Sequence, residues 1–402
     1  MKHFKHLISL FLILILIATS CQSGASNDPD TNQSQTTQSV ETVIHSELDP
    51  DIQEQIFLTQ DQPMPSDEDL PRIEYGENLE AYEVTWYEYF DTVSTVMAFV
   101  NDQAEFESLV NYLEQRLAKW HQILNNFEAY ENITNIYNLN ETNGEWVKLD
   151  SELIELLIFS KDMYEKTNGQ VNIAIGAVTD LWHLEREKAI ENSDFQGELP
   201  DQDKLEELGK HAEIENLEID KEQQRARITN PNTKIDLGAV AKGYVSQVLK
   251  EELIKKGYSH VLMNFGGNIV TIGEKPDGEA WRLGIRQINI DSTENEIQFA
   301  EILEINNLSL ITSGDYERYY NVGENSYHHI LDPETLFPST LYTQVSIVSE
   351  NAAWGDTLST ALFNVSIEEG EEILKNFPNT SAYWITKDNQ NIKSSNFDSL
   401  LN

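Results

Sequence analysis

The chain has 402 residues, room for one large domain or two or three smaller ones. It carries 27 Lys and Arg against 69 Asp and Glu, a formal net charge of −42, with the acids spread along its length. Such a surface repels nucleic acid and anionic membrane faces, so neither is expected as a partner, and an anionic ligand would need a metal ion or a local cationic pocket. The one cysteine, Cys21, excludes an intramolecular disulfide.

The first residues read as an export signal. Lys2, His3, Lys5 and His6 precede an almost unbroken apolar run over residues 7–17, and Ala18-Thr19-Ser20 stand directly before Cys21. The run is too short for a comfortable membrane span. The pattern resembles a bacterial lipoprotein signal. That implies removal of residues 1–20 and lipidation of Cys21, leaving an extracytoplasmic protein held on the cell membrane by its lipid alone. Residues 22–71 are Ser, Thr, Gln, Asn, Asp and Pro with few large apolar side chains. This composition buries too little surface to fold, and residues 21–80 are expected to form a disordered tether.

Order is expected from about Tyr82. Residues 82–100 are rich in Tyr, Trp, Phe, Val and Thr and predict strands, interrupted by Phe90-Asp-Thr-Val93. Phe106, Leu109, Val110, Leu113, Leu117, Trp120 and Leu124 then recur at helical spacing. Residues 151–166 predict a second helix, capped by Ser151 and stopped at Asn168-Gly169. An apolar stretch over 171–182, a helix over 201–211 and short strands near Leu217 and Arg227 lead to Asp236. There Asp236-Leu-Gly-Ala-Val-Ala-Lys-Gly-Tyr244 opens a helix from Ala239 that ends near Gly257. An Asp, small residues at a turn and Lys242 on the first helical turn suit a bound phosphate. An ordinary strand–turn–helix with a surface lysine fits the same residues.

Residues 261–272 predict a hairpin about Gly266-Gly267, 281–288 a strand, and 308–311 a strand running into Ser313-Gly314-Asp315, which reads as a tight turn. Beyond His329-Ile-Leu-Asp-Pro333 come a strand at 343–349, helices at 352–363 and 368–377, and a closing strand at 382–386. Strands and helices mix without regular alternation, so the fold class is α+β.

Asp356 and Thr360 stand four apart on a predicted helix and project a carboxylate and a hydroxyl from one face. Hard oxygen donors of this kind suit Mg²⁺, although a Thr bonded to its own helix is the plain alternative. His329, between a strand and a proline turn, could be structural or catalytic.

Together and in this order the blocks are specific. Phe90-Asp-Thr-Val93, Asn168-Gly-Gln-Val-Asn-Ile-Ala-Ile-Gly176 with Leu181-Trp182, and Asp236-Leu-Gly-Ala-Val-Ala-Lys-Gly243 are followed by Asn264-Phe-Gly-Gly-Asn268, Ser313-Gly-Asp-Tyr316, His329-Ile-Leu-Asp-Pro333 and Asp356-Thr-Leu-Ser-Thr-Ala361. Over residues 82–386 the chain resembles the FAD:protein FMN transferases, a flavin transferase family formerly linked to thiamine biosynthesis. The resemblance implies a single catalytic unit, residues 81–395, with a T-fold-like core. It implies Mg²⁺ held by Asp356, Thr360 and the main-chain carbonyl of Ala239, and FAD, the substrate, facing Asp236 and Lys242. Phe90, Val171 and Asn172 would line the flavin pocket, and Ser313, Gly314 and Asp315 would border the FAD. His329 would lie near the transferred phosphate as the catalytic base, with Asp315 the other group nearby.

The implied reaction is Mg-dependent transfer of FMN from FAD to a threonine hydroxyl of an exported acceptor protein, with release of AMP. An FAD pyrophosphatase using water, or a lipoprotein that binds FAD without chemistry, are the alternatives. Two positions depart from the family pattern. Thr335-Leu336-Phe337-Pro338 stands where Thr-Gly-x-Pro is usual, predicting a rebuilt turn, and Asn172 stands where Asp is usual.

Overall fold

The computed structural model describes residues 41–44 by backbone, and residues 70–192, 194–288 and 298–401 in full. Cys21 and the signal residues lie outside this set.

Nine strands form one sheet: β1 (Glu41–Ile44), β2 (Glu80–Trp86), β3 (Ser94–Val100), β4 (Val261–Phe265), β5 (Asn268–Ile272), β6 (Ser309–Gly314), β7 (Tyr342–Ser349), β8 (Thr380–Thr386) and β9 (Asn391–Lys393). Their order in space is their order in the chain. All neighbours from β2 onward pair antiparallel, while β1 runs parallel to β2. The chain leaves this meander for long excursions. Between β3 and β4 it builds the helices α1 (Gln103–Leu124), α2 (Ser151–Lys166), α3 (Gly176–Ile190) and α4 (Ala241–Lys255). Between β6 and β7 it makes the ribbon of Tyr319–Val322 with Asn325–His328, and between β7 and β8 the helices α5 (Ala352–Ala361) and α6 (Ile367–Leu374).

Both faces of the sheet are covered. Val96, Ala98 and Val100 of β3 enter the core under the helices, whereas Met97 and Phe99 pack with Trp281, Leu283 and Leu303 of the ribbon formed by Trp281–Arg286 and Phe299–Ile305. A strand buried on both faces reads as a continuous apolar run, as Val-Met-Ala-Phe-Val does here. Helix α1 delivers the apolar stripe its spacing predicts, with Phe106, Leu109, Val110, Leu113, Leu117 and Trp120 all buried. Buried Arg116 joins α1 to Glu152 of α2 and, at 2.7 Å, to Glu252 of α4. A buried guanidinium satisfied by two carboxylates fixes three helices together, and losing either partner would strand a charge.

Several expectations are corrected. The cap of α2 is Asp150, whose carboxylate accepts the Glu152 N–H at 2.9 Å; Ser151 is the first helical residue. Helix α4 starts at Ala241, leaving Ala239 in the preceding turn. Ser313 and Gly314 extend β6, opposite Val345 and Gln344, so the turn begins only at Asp315. The apolar stretch at 171–182 runs into α3, whose charged second half hides its helical period because only Val178, Leu181, Trp182 and Ala189 pack beyond its first residue. The folded unit also reaches further towards the N-terminus than composition suggests. Leu70 and Ile73 are buried in the main core, and the Ile73 N–H donates to the Lys256 carbonyl at 3.0 Å.

Candidate functional site

The first turn of α4 and the side of α5 meet without a gap. Gly243 N–H donates to Asp356 Oδ2 at 2.7 Å, and Asp356 is only 5% exposed. A Cβ on residue 243 would come within 2.5 Å of the Ala352 carbonyl and collide with the Asp356 side chain, so this contact requires glycine.

Along α5 the hydroxyls divide into two kinds. Thr357 bonds back to the Ala353 carbonyl at 2.9 Å. Ser359 donates to the Asp356 carbonyl at 2.9 Å and pairs with the Ser313 hydroxyl at 2.7 Å. Thr360, by contrast, makes no side-chain hydrogen bond among the described residues, so the helix-bonded alternative does not apply to it. Nor does any hydrogen bond among the described residues reach the Ala239 carbonyl, just ahead of α4. A buried carboxylate, an unbonded hydroxyl one turn further along α5 and an unbonded carbonyl just ahead of α4 are hard oxygen donors, a chemistry that fits Mg²⁺.

Asp236 is braced from two sides. One oxygen accepts the Thr179 hydroxyl of α3 at 2.6 Å and the other the Gly238 N–H at 2.8 Å. The carboxylate thereby sets the turn that leads into Lys242. Ser313 closes the α5 side through Ser359, while Gly314 leaves room for the Tyr316 ring, which an added Cβ would meet at 2.5 Å. Asp315 is ion-paired with Lys387, which occupies the carboxylate and makes it the poorer of the two candidate bases.

His329 makes no hydrogen bond among the described residues. Its ring is open to solvent yet closely surrounded by protein, as on the floor of a cleft. The resulting loss of water holds its pKa well below the ordinary imidazole value, and Arg318, His328, Lys242 and Arg186 push the same way. Burial lowers the Arg186 pKa, and the nearby Arg318 cation adds to the lowering. Glu317 lies among the same cations: burial raises its pKa while Arg286, Arg318 and Lys242 oppose the rise. A strongly acidic chain has gathered cations at one place.

Phe90 is half-buried in the turn between β2 and β3, and Arg318 ties that turn to the cleft by donating to the Asp91 carbonyl at 3.2 Å. Val171 and Asn172, the other two expected pocket residues, are anchored by core packing and backbone bonds. Val171 is 2% exposed and belongs to the main core. Asn172 spends its amide on backbone, donating to the Ala212 carbonyl at 2.7 Å and accepting the Ala174 N–H at 2.9 Å. An Asp could not make the first of these bonds. These contacts fix the loop before α3, with Asn172 left partly exposed.

The turn after the His329 block is built around Leu336. Leu336 takes a left-handed backbone, φ +63°, and its side chain packs where any Cβ on Gly209 would strike it at 2.5 Å. The Trp182 Nε1–H holds the Leu336 carbonyl at 2.9 Å. A glycine on the facing element makes room for this leucine.

Sequence reasoning missed Arg186, Arg318, Glu317 and Thr179 as site residues. Glu185-Arg186-Glu187 has the look of a solvated helix face, and no local pattern marks the other three.

Residues 83–384 match the ApbE family. Similar proteins include the FAD:protein FMN transferase of Klebsiella pneumoniae (strain 342), 26% identical over 292 residues that cover 72% of this chain and 85% of that protein. The FAD:protein FMN transferase of Treponema pallidum (strain Nichols) is 29% identical over 259 residues, 60% of this chain and 67% of that protein. Among solved structures, the ApbE protein of Thermotoga maritima superposes with a TM-score of 0.68 at 22% identity, over 80% of this chain and 100% of that one, a likeness of fold. The Klebsiella and Treponema relatives are transferases by name, and the family match takes in the α4–α5 seam and the cationic cleft alike. The chain belongs to the ApbE family.

Proposed function

We propose that this protein is an FAD:protein FMN transferase that moves FMN from FAD to a threonine hydroxyl of an exported acceptor protein and releases AMP. One observation carries the reading: the hard-oxygen set of Asp356, Thr360 and the Ala239 carbonyl adjoins the α4 start that carries Lys242, a cation of the His329 cleft, in a chain of net charge −42. A pyrophosphate flanked by a divalent cation calls for both features.

Mg²⁺, when bound, would supply charge neutralisation at the pyrophosphate oxygens. Asp356, Thr360 and the Ala239 carbonyl would hold it. Lys242, Arg186 and Arg318 orient the phosphates and offset the field of the surrounding acids. The threonine oxygen forms a bond to the phosphorus on the FMN side. The bond from that phosphorus to the bridging oxygen breaks, and its electron pair leaves with AMP. The hydroxyl proton passes to His329, whose depressed pKa keeps it neutral and whose ring has no competing partner. Lipidation at Cys21 and the tether would hold enzyme and acceptor on one membrane face and raise their effective concentration.

The test is incubation with FAD and Mg²⁺, with an acceptor domain that has or lacks its threonine, reading AMP release and in-gel flavin fluorescence together. Labelled acceptor with stoichiometric AMP, both lost without the threonine, is the expected result. AMP without labelled acceptor would make the protein a pyrophosphatase, and tight FAD binding with neither product would make it a carrier.

A further inference from the structure

The turn at 89–92 carries Phe90, and it is strained. Phe90 and Asp91 are consecutive residues with left-handed backbones, φ +57° and +51°. Side-chain-bearing residues adopt this conformation only when their surroundings impose it. The turn's own closure is thin, a single bond from the Thr92 N–H to the Tyr89 carbonyl at 3.3 Å.

Three outside contacts hold it. Arg318 grips the Asp91 carbonyl at 3.2 Å. The Thr92 side chain fills the space where residue 266 has no Cβ. From α1, Nδ1 of His121 accepts the Phe90 N–H at 3.3 Å, with its ring against Phe90 (centroids 6.2 Å apart) and Tyr89 (6.4 Å). A ring nitrogen that accepts a hydrogen bond carries no proton, so this contact requires the neutral imidazole. Burial favours that form and lowers the His121 pKa, while the carboxylates of Asp91 and Glu128 oppose it. Of the cations, Arg318 reaches the Asp91 backbone and Arg186 is close enough to feel the Asp91 charge. The phenol of Tyr89 stays neutral because burial raises its pKa.

We propose that His121 is a positioning residue for the FAD site: its unprotonated Nδ1 holds the Phe90 amide, and with it the strained turn, in the pocket-forming conformation, and protonation releases the turn. When Nδ1 gains a proton, two N–H donors face each other and the contact becomes repulsive. The inference rests on the proposed function and on the expectation from the family resemblance that Phe90 lines the flavin pocket.

The test measures FAD affinity by quenching of flavin fluorescence, and kcat and KM for FAD, from mildly acidic to neutral pH on the full chain. His121→Asn offers an amide oxygen in the place of Nδ1 and does not titrate. His121→Leu offers no acceptor. Asp91→Gly added to His121→Leu removes one strained residue. We expect wild-type affinity to fall on acidification through KM, and the Asn variant to keep its affinity to lower pH. The Leu variant should bind FAD about tenfold more weakly at every pH with much smaller change in kcat, one hydrogen bond's worth, and Asp91→Gly should restore part of that loss.

Wild-type acid sensitivity in the Asn variant, or wild-type affinity in a folded Leu variant, overturns the proposal. If the Leu variant does not fold, the Asn comparison decides alone. A wild-type protein that binds no FAD at any pH overturns the reading of the cleft and this inference with it, a result distinct from the other two.

Discussion

The two sides of the site are built in opposite ways. At the α4–α5 seam, Asp356 is buried, Gly243 cannot carry a Cβ, and the hydroxyls of Thr357 and Ser359 are bonded, leaving Thr360 and the Ala239 carbonyl open. In the cleft, His329, Glu317 and Arg318 keep accessible surface; His329 is held neutral, and the Glu317 carboxylate lies among Arg286, Arg318 and Lys242. Burial fixes position by excluding alternatives, whereas exposure leaves a group free to exchange a proton or meet an anion. The same contrast spans one peptide bond. His328 is buried, accepts the Ile330 N–H on Nδ1 at 3.2 Å and so donates from Nε2 to the Ser339 carbonyl at 2.7 Å. His329 has no such bonds.

The sharpest way to break this comparison is at Asp356. Asp356→Ala removes the anionic member of the proposed metal set and the acceptor of the buried Gly243 N–H. Turnover should fall by more than about a hundredfold, above the range for residues that only support a ligand, and wild-type AMP release at ordinary Mg²⁺ would sink the metal assignment. Chelation of Mg²⁺ should mimic this loss in wild-type protein without unfolding it.

The adjacent histidines sharpen it next. His329→Ala should lower kcat by about a hundredfold, at the low end for a general base because phosphoryl transfer leans more on charge neutralisation. Its unfolding midpoint should stay at the wild-type value. His328→Ala should do the reverse, costing about 1–3 kcal/mol in denaturant titrations by orphaning the Ser339 carbonyl. Gly243→Ala should cost a comparable amount, about 1–3 kcal/mol, by overpacking the seam.

The smallest effect concerns Lys250, which buttresses the seam from the far half of α4. Its Nζ donates to the carbonyls of Asn307 at 2.6 Å and Glu350 at 2.9 Å, and burial lowers its pKa from 10.5 to about 8 against the pull of Glu350 and Glu251. Between those values the unfolded chain binds a proton that the folded chain has released, so stability should rise as pH climbs from about 8 towards 10. Lys250→Met should flatten that rise in unfolding curves taken across the window.

Much of this was legible in the chain. Strands β2 to β5, the long helix α1 and the α5–α6 pair follow from side-chain period and from breakers such as Gly266-Gly267, because local burial writes itself into spacing. Asp356, Thr360, Lys242 and His329 are candidates by motif order. What failed had contacts from elsewhere in the chain. Helix α3 hides its period because part of its packing goes to the ribbon around Tyr320, and no local pattern shows that the Asn172 amide holds the Ala212 carbonyl.

The sequence by itself determined the α+β composition, the order of the elements and the residue types able to bind an anion and a metal, since each depends on neighbours within a few positions. Only the tertiary structure decided that Arg186 and Arg318 share one cleft, that Leu336 finds its space over Gly209, and that His121 reaches the Phe90 amide from 31 positions away. Those pairings cost chain entropy to form and are held by packing that no local pattern records.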